Sequence, residues 1–338
     1  MPRSISFSEV LAGRSGGRVS SWQNSSANLK SGITQSPFQI LLYYLYRSLA
    51  DAGGYLEEHR ILCERLGLRG RILIAEEGLN GTVSGPSKMT EEYMKILQRD
   101  ERTKGIEFKV DSSRDHAFPK LDIKLRNELV TLALGEDDFS PMEETGRHLS
   151  PAEWRVLMEK EDAVMIDVRN QYEWELGHFE GALLPRVQSF REFPEWVRKN
   201  RSQLEGKKIL TYCTGGVRCE KFSGFLLREG FEEVFQLGGG IVSYGRDPAV
   251  QGEKFLGKCY VFDERIGVEV NRTVDATIIS RCDHCGTACD RYVNCSWSQC
   301  NRQHFCCEAC EDDVMGYCNS VCRKAAVVSL AARGHASD

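Results

Sequence analysis

Ten of the fourteen cysteines in this chain lie between Cys282 and Cys322, and that crowding constrains the fold more than any other feature. Eight of them form four pairs, Cys282-x2-Cys285, Cys295-x4-Cys300, Cys307-x2-Cys310 and Cys318-x3-Cys322, at spacings that suit tetrahedral zinc. Eight thiolates make two closed four-ligand sites. Interleaved modules join the first pair to the third and the second to the fourth, and sequential joining is compatible with the same spacing. Cys289 and Cys306 are left as spares, and His284 and His304 are competing ligands. An iron–sulfur cluster is the rival reading of the metal, but four regular pairs fit two separate sites better than one four-cysteine cluster. A disulfide scaffold would spread its cysteines along the chain, so unpaired thiols at metal spacing point to a reducing interior. Six acids face only Arg291 and Arg302 within this segment. A polyphosphate backbone is repelled there, and the module reads as a structural clamp on the domain before it.

The other 281 residues before Cys282 carry the remaining chemistry, with Cys63, Cys213, Cys219 and Cys259 scattered among them. Apolar residues at 41% and charged residues at 28% are the profile of a globular chain. A net charge of -5 gives the whole molecule no general attraction for polyanions. No apolar run reaches the roughly 18 residues needed to cross a bilayer, so no membrane partner is expected. Residues 1–37 hold ten serines, with Arg3, Arg14, Arg18 and Lys30 against the single acid Glu9. That bias fits an organelle transit peptide as well as a disordered leader or an early start codon. The location expected is therefore cytoplasmic, or a mitochondrial or plastid interior if the segment is a transit peptide.

Hydrophobic patterning divides the chain further, and the expected class is multidomain α/β. From Leu41–Tyr46 the order is strand, helix (Glu57–Leu66, opened by Gly53-Gly54), strands Arg71–Ala75 and Leu79–Ser84, a helix from Pro86 to Leu97, and strands Ile106–Val110 and Leu121–Leu134. Such an order over residues 38–140 folds most simply as a ferredoxin-like α+β sandwich. The acidic, breaker-rich stretch Gly135–Pro151 reads as a linker. Residues 145–250 then alternate: helix Pro151–Glu159, strand Ala163–Val168, helix Phe193–Gln203, strand Lys208–Tyr212, helix Cys219–Glu229, strand Glu233–Leu237. That pattern predicts an open parallel α/β sheet with its ligand site just after Val168, Tyr212 and Leu237, at the carboxyl ends of the strands. Residues 251–325 form the cysteine-rich module and 326–338 a mobile tail.

The string Lys208-Ile209-Leu210-Thr211-Tyr212-Cys213-Thr214-Gly215-Gly216-Val217-Arg218-Cys219-Glu220 is a buried strand, a tight glycine loop and a helix. Glycines let successive backbone N–H groups turn toward one point, and the helix N-terminus adds partial positive charge. A thiol at Cys213 should ionise easily there, with Arg218 adding a full charge. A phosphatase cradle needs its arginine six residues after the cysteine. Here position six is Cys219 and the arginine is at five, so the loop suits a single transferable atom better than a tetrahedral oxyanion.

This loop resembles the active-site loop of the rhodanese sulfurtransferases. Asp167-Val168-Arg169 with Glu173, Gly177-His178-Phe179-Glu180-Gly181-Ala182 and Gly230-Phe231 through Gly238-Gly239 stand around it in the expected order. Gly78-Leu79-Asn80-Gly81-Thr82-Val83-Ser84-Gly85, Phe118-Pro119-Lys120, Tyr172-Glu173-Trp174-Glu175-Leu176-Gly177-His178-Phe179 and the cysteine loop itself are similar to one branch, the rhodanese-domain tRNA uridine hydroxylases. The resemblance implies an oxidoreductase that uses molecular oxygen to place a hydroxyl on carbon 5 of the wobble uridine of the tRNA anticodon. It implies Cys213 as the essential cysteine and Cys219 as a second thiol that traps an oxidised Cys213 as a disulfide. No nicotinamide or flavin motif is seen. Arg169 and Arg218 are assigned as positive lining, Asp167 as a positioning group and Gly215 and Gly216 as the substrate cradle, with a structural ion pair to an Asp or Glu the rival reading of Arg169. His178, in a turn between elements, reads as packing more than as a base. Lys120, Lys124 and Arg126, with Arg69 and Arg71, are the candidate seat of the anticodon stem-loop, against ordinary solvated charges. A persulfide-carrying sulfurtransferase and a non-catalytic zinc-stabilised binding protein are the alternative functions, and the sequence leaves the oligomeric state open.

Overall fold

A computed structural model describes residues 36–300 and 302–334. The transit-peptide reading of residues 1–37 therefore falls outside the described residues except at its last two positions.

The N-terminal sheet is built on β1 (Phe38–Tyr46), with α1 (Ala52–Arg65), β2 (Arg69–Ala75), β3 (Gly78–Pro86), α2 (Ser87–Arg99), β4 (Glu107–Ser113) and β5 (Leu121–Leu125) following. Its strand order is β4-β1-β3-β2-β5, all neighbours antiparallel except β2 and β5. Helix α1 starts five residues earlier than the glycine pair led us to expect, because the Asp51 side chain caps it by accepting from the Gly54 N–H at 2.8 Å. Strand periodicity gives β1 two working faces. Leu41 and Tyr43 pack with Tyr55, Leu56, Tyr93 and Leu97 of the two helices in a buried core. Ile40, Leu42, Tyr44 and Tyr46 alternate with them and so take the other face.

The apolar run Leu129–Leu134 is not the continuation of a strand. β5 stops at Leu125, and Leu132 is buried in the second core beside Ile166, Phe222 and Phe225. Its hydrophobicity is satisfied by packing across the junction, not by a ladder.

The second sheet is wholly parallel, in the order β6-β10-β9-β7. This part of the chain runs β6 (Arg147–Leu149), α3 (Pro151–Leu157), β7 (Ala163–Asp167), α4 (Gln171–Trp174), β8 (Gly177–Phe179), α5 (Phe193–Lys199), α6 (Arg201–Leu204), β9 (Lys208–Tyr212), α7 (Val217–Arg228), β10 (Val234–Leu237) and α8 (Gly240–Arg246), with β8 outside the parallel sheet. The segment expected as a linker thus ends in an edge strand: β6 pairs with β10, and Leu149 is buried. The helix expected over Phe193–Gln203 breaks at Asn200, whose side-chain amide donates to the Trp196 carbonyl at 2.8 Å and so competes with the helical ladder.

Strand β11 (Phe255–Tyr260) pairs with β8 and with β12 (Gly267–Glu269), extending this body before the cysteine-rich segment begins. That segment holds the hairpin β13 (Tyr292–Asn294) and β14 (Gln303–Phe305), then α9 (Glu308–Val314) and α10 (Ser320–Gly334). Helix α10 carries regular structure through residues 326–334, where a mobile tail was expected. Tyr292 and Phe305 stack at 4.0 Å and bury with Leu176 and Tyr260. The Tyr292 hydroxyl donates to the Tyr172 carbonyl at 3.0 Å, so the segment is fastened to α4. Among the described residues no helix is long and apolar enough to cross a membrane.

Candidate active site and cysteine clusters

Strand β9 runs through the middle of its sheet with Ile209, Leu210 and Tyr212 fully buried, and delivers Cys213 to the carboxyl edge. The turn into α7 is closed by Gly216 at φ 108°, a backbone that side chains rarely adopt. It aims the Gly216 N–H at Cys213 Sγ, 3.2 Å away. Burial opposes ionisation of Cys213, yet the Cys219 thiol donating to it, the Arg218 charge and the amides of Gly216 and Arg218 outweigh burial and hold its pKa at about 5. Cys219 moves the opposite way: burial, and donation to its neighbour, push its thiol well above the ordinary value. The two cysteines are therefore a thiolate and the thiol that serves it.

Behind the loop stands a file of alternating charges. Arg218 grips the buried Glu173 carboxylate with both ends of its guanidinium, at 2.6 and 2.7 Å. Burial would raise the Glu173 pKa, but Arg218 and then Arg169 lower it below the usual carboxylate range. Arg169 donates to Asp167 at 2.8 and 2.6 Å and to the Gly177 carbonyl at 2.6 Å, and both members of that pair are fully buried. The ion-pair reading describes Arg169 and Asp167 as they stand, since neither borders open space. His178 donates its Nδ1–H to the Trp174 carbonyl at 2.8 Å.

The N-terminal sheet covers the loop. A Cβ on Gly215 would meet Leu42 Cδ2 at 3.0 Å, and one on Gly216 would meet the Tyr44 hydroxyl at 2.8 Å. Lys109 on β4 donates to the Gly215 carbonyl at 2.9 Å, and Tyr46 to the Val217 carbonyl at 3.2 Å. Tyr44 also donates to Glu220 at 2.8 Å, a carboxylate shared with His148 at 2.9 Å and Gln236 at 3.1 Å. Cys213 is left 1% exposed. A cavity of about 510 Å³, bordered by Tyr44, Lys109, His148, Glu220, Gly238 and Gly239, opens between the two sheets where β10 ends; Cys213 is not among the residues that line it. This is the strand-end position expected after Leu237, and its volume accommodates a ligand of nucleotide size.

Sequence reasoning missed Lys109, Tyr44 and Glu220. The pairing register aligns Lys109 with Leu42, and Glu107 with Tyr44, so the charges alternating along β4 were the available signal. Lys120, Lys124 and Arg126 lie elsewhere, on or beside the far edge strand β5. The register carries Lys124 to Leu73, Leu73 to Asn80 and Asn80 to Tyr44. Lys124 thus shares the loop-facing surface with Tyr44 but sits three strands from β1, about 14 Å at ordinary strand spacing. It pairs with Asp122 at 2.7 Å.

In the cysteine-rich segment the sulfurs of Cys282, Cys285, Cys307 and Cys310 converge, as do those of Cys295, Cys300, Cys318 and Cys322. That is the interleaved joining of first pair with third and second with fourth. A tetrahedron with metal–sulfur bonds of about 2.3 Å has edges of about 3.8 Å. The sulfur separations are 3.7 Å for Cys285 to Cys307, 3.8 Å for Cys300 to Cys318 and 3.5 Å for Cys318 to Cys322. Both clusters have the size a tetrahedral ion requires.

Three family descriptions match the chain in succession: an acylphosphatase-like domain (UPF0176) over residues 38–129, a rhodanese-like domain over 150–247 and a rhodanese C-terminal domain over 256–323. A tRNA uridine(34) hydroxylase of Shouchella clausii is 51% identical over 286 residues, 85% of this chain and 88% of that protein. The chain belongs to the tRNA uridine(34) hydroxylase family. Proteins of the same name from Bacillus mycoides and Bacillus cytotoxicus are also 51% identical, covering 86% of this chain and 90% and 89% of theirs. Membership in the family spans the acylphosphatase-like part, the Cys213 loop and both cysteine clusters, so the three parts described above are parts of one family architecture.

Proposed function

We infer that this chain hydroxylates uridine 34 of tRNA, at carbon 5, with molecular oxygen as co-substrate and Cys213 as the essential residue. The observation that carries the reading is the identity to the named hydroxylases across a chain whose Cys213 is held as a thiolate. The anticodon stem-loop is the part of the tRNA engaged, with the wobble base unstacked into the cavity beside Tyr44 and Lys109. Lys124, on the same sheet face, and Lys120 and Arg126, beside β5, serve the phosphates of the stem and not the reacting base.

The chemistry sets a demand on the loop. Placing one atom of dioxygen on carbon leaves the other to become water, which takes two electrons and two protons. Oxidation of the Cys213 thiolate and the Cys219 thiol to a disulfide supplies the two electrons and one proton, solvent supplies the second proton, and a cellular dithiol resets the pair. Arg218, fixed by Glu173, keeps positive charge beside the sulfur; Arg169 and Asp167 brace Glu173 from behind. Gly215 and Gly216 let the backbone close around the reacting atom.

The two four-cysteine clusters are read as structural zinc sites, whose thiolate sets and sizes fit that ion. Zinc there would hold the segment 251–325 together as a clamp on α4. Residues 38–140 are read as a ferredoxin-like sandwich and 145–250 as the rhodanese domain. The compartment is the cytoplasm.

Nucleoside mass spectrometry of tRNA from cells lacking other routes, with and without this chain, tests the function. Appearance of 5-hydroxyuridine supports it. Unchanged nucleosides, with thiosulfate-to-cyanide turnover at an enzymatic rate, would favour a sulfurtransferase instead.

A further inference from the structure

Strand β14 alternates around a junction. Phe305 points to the aromatic stack with Tyr292, which leaves His304 and Cys306 on the opposite side by the two-residue period of a strand. There they meet His284, carried in by the turn between Cys282 and Cys285. One ligand atom from each of the three side chains lies within 4.8 Å of the other two, and the two imidazole rings are 5.3 Å apart, nearly perpendicular.

These groups are not satisfied by the protein. His304 is 1% exposed, and neither of its ring nitrogens has a hydrogen-bond partner among the described residues. The His284 Nε2 is buried without one as well. Cys306 is fully buried, and among the described residues its thiol makes only a 3.6 Å contact with the carbonyl of the next residue. A buried imidazole ordinarily gives one nitrogen a donor's partner and the other an acceptor's. One ligand atom from each imidazole and the Cys306 thiol converge, and a bound cation would give a partner to one nitrogen of each ring and to the thiol.

We propose that His284, His304 and Cys306 form a third metal centre, distinct from the two four-cysteine sites, that takes a zinc-class divalent cation. Two imidazoles and a thiolate are a borderline-soft donor set that suits zinc and does not suit magnesium or calcium. With nitrogen bonds of about 2.0–2.1 Å and a sulfur bond of about 2.3 Å, tetrahedral ligand separations are about 3.4–3.6 Å. Binding would draw the three atoms, which lie within 4.8 Å of one another, together by about 1 Å. Three protein ligands leave a fourth position open, unlike the closed four-cysteine sites. His304 also borders a cleft of about 1050 Å³ shared by Tyr172, Tyr260, Tyr292, Asp283 and Arg302.

The test is metal stoichiometry on the full chain, loaded with zinc and freed of loosely held ion by gel filtration. The wild type should carry one equivalent more than His304→Phe, Cys306→Ala and His284→Gln, each of which should keep the wild-type far-ultraviolet circular dichroism. The readout is a difference of one equivalent, so it does not depend on what the four-cysteine sites hold. Cobalt loading gives a second reading: the wild type should show a d–d envelope for mixed nitrogen and sulfur ligation that His304→Phe lacks. If His304→Phe fails to fold, the partly exposed His284→Gln carries the comparison. Equal metal content and equal cobalt spectra in the wild type and in the folded variants would overturn the proposal.

Discussion

Replacing Cys219 with alanine removes the thiol that donates to Cys213 and leaves the rest of the loop in place. A free thiol titrates near 8.5, and Cys213 at about 5 lies roughly 3–4 units below it, about 5 kcal/mol in favour of the thiolate at about 1.36 kcal/mol per unit. That sum is shared by the Cys219 thiol, the Arg218 charge and two backbone amides. A hydrogen bond to a charged group contributes about 1.5–3 kcal/mol, so its loss should move the Cys213 midpoint up by about 1–2 units, to about 6–7. Bulk thiolate absorbance cannot read this in a chain with fourteen cysteines. The assay is alkylation as a function of pH, with the Cys213 peptide quantified by mass spectrometry. Because Cys213 is almost wholly covered, absolute rates will be slow, and the midpoint carries the information. A wild-type midpoint near 8.5, or one near 5 that Cys219→Ala does not move, would refute the account of how the thiolate is held. The same shift has a stability sign. A depressed folded-state pKa makes stability rise from about pH 5 toward the free-thiol value, where its contribution is complete, and acidification through about 5 removes it.

Other perturbations act on neighbouring parts. Arg218→Gln strands the buried Glu173 carboxylate, and urea unfolding should show a loss of about 3–5 kcal/mol, the usual effect of breaking one half of a buried ion pair. A near-neutral result would mean that Glu173 is not held as an ion. Gly216→Ala puts a methyl against the Tyr44 hydroxyl on a backbone with φ 108°. The strained backbone should cost about 1–3 kcal/mol, and the displaced Gly216 amide should raise the Cys213 midpoint. Unaltered stability and midpoint would show that β1 does not press on the loop. Metal removal by a strong chelator should open the cysteine-rich segment while the parallel sheet keeps its hydrogen-exchange protection. Protection lost first in β9 would contradict a clamp role.

The sequence exposed the parts of this architecture that are local and hid those that are not. β9, the glycine loop and the start of α7 were legible because one unbroken string carries the buried strand, the tight turn and the helix. The cysteine clusters were legible because ligand spacing is itself a local property. The cover over the loop was not legible: Leu42 and Tyr44 lie about 170 positions before Gly215 and Gly216, and only the register of β1 with β4 brings Lys109 alongside them. Strand β6 hid inside an acidic stretch because it is a three-residue edge with one buried side chain, too short for periodicity to mark. The run Leu129–Leu134 misled in the other direction. Its apolar residues serve a packing junction between two bodies, and composition does not distinguish that from a strand. Arg169 was read toward the pocket, as its place at a strand end allows, but Asp167 two residues before it was the nearer and stronger partner.

The central claim is that Cys213 is required for hydroxylation of uridine 34, and tRNA nucleosides report on it most directly. In cells lacking other routes to the modification, the wild-type chain should produce 5-hydroxyuridine, and Cys213→Ala, expressed to the same level and folded, should produce none. A Cys213→Ala chain that leaves 5-hydroxyuridine at the wild-type level would contradict the account.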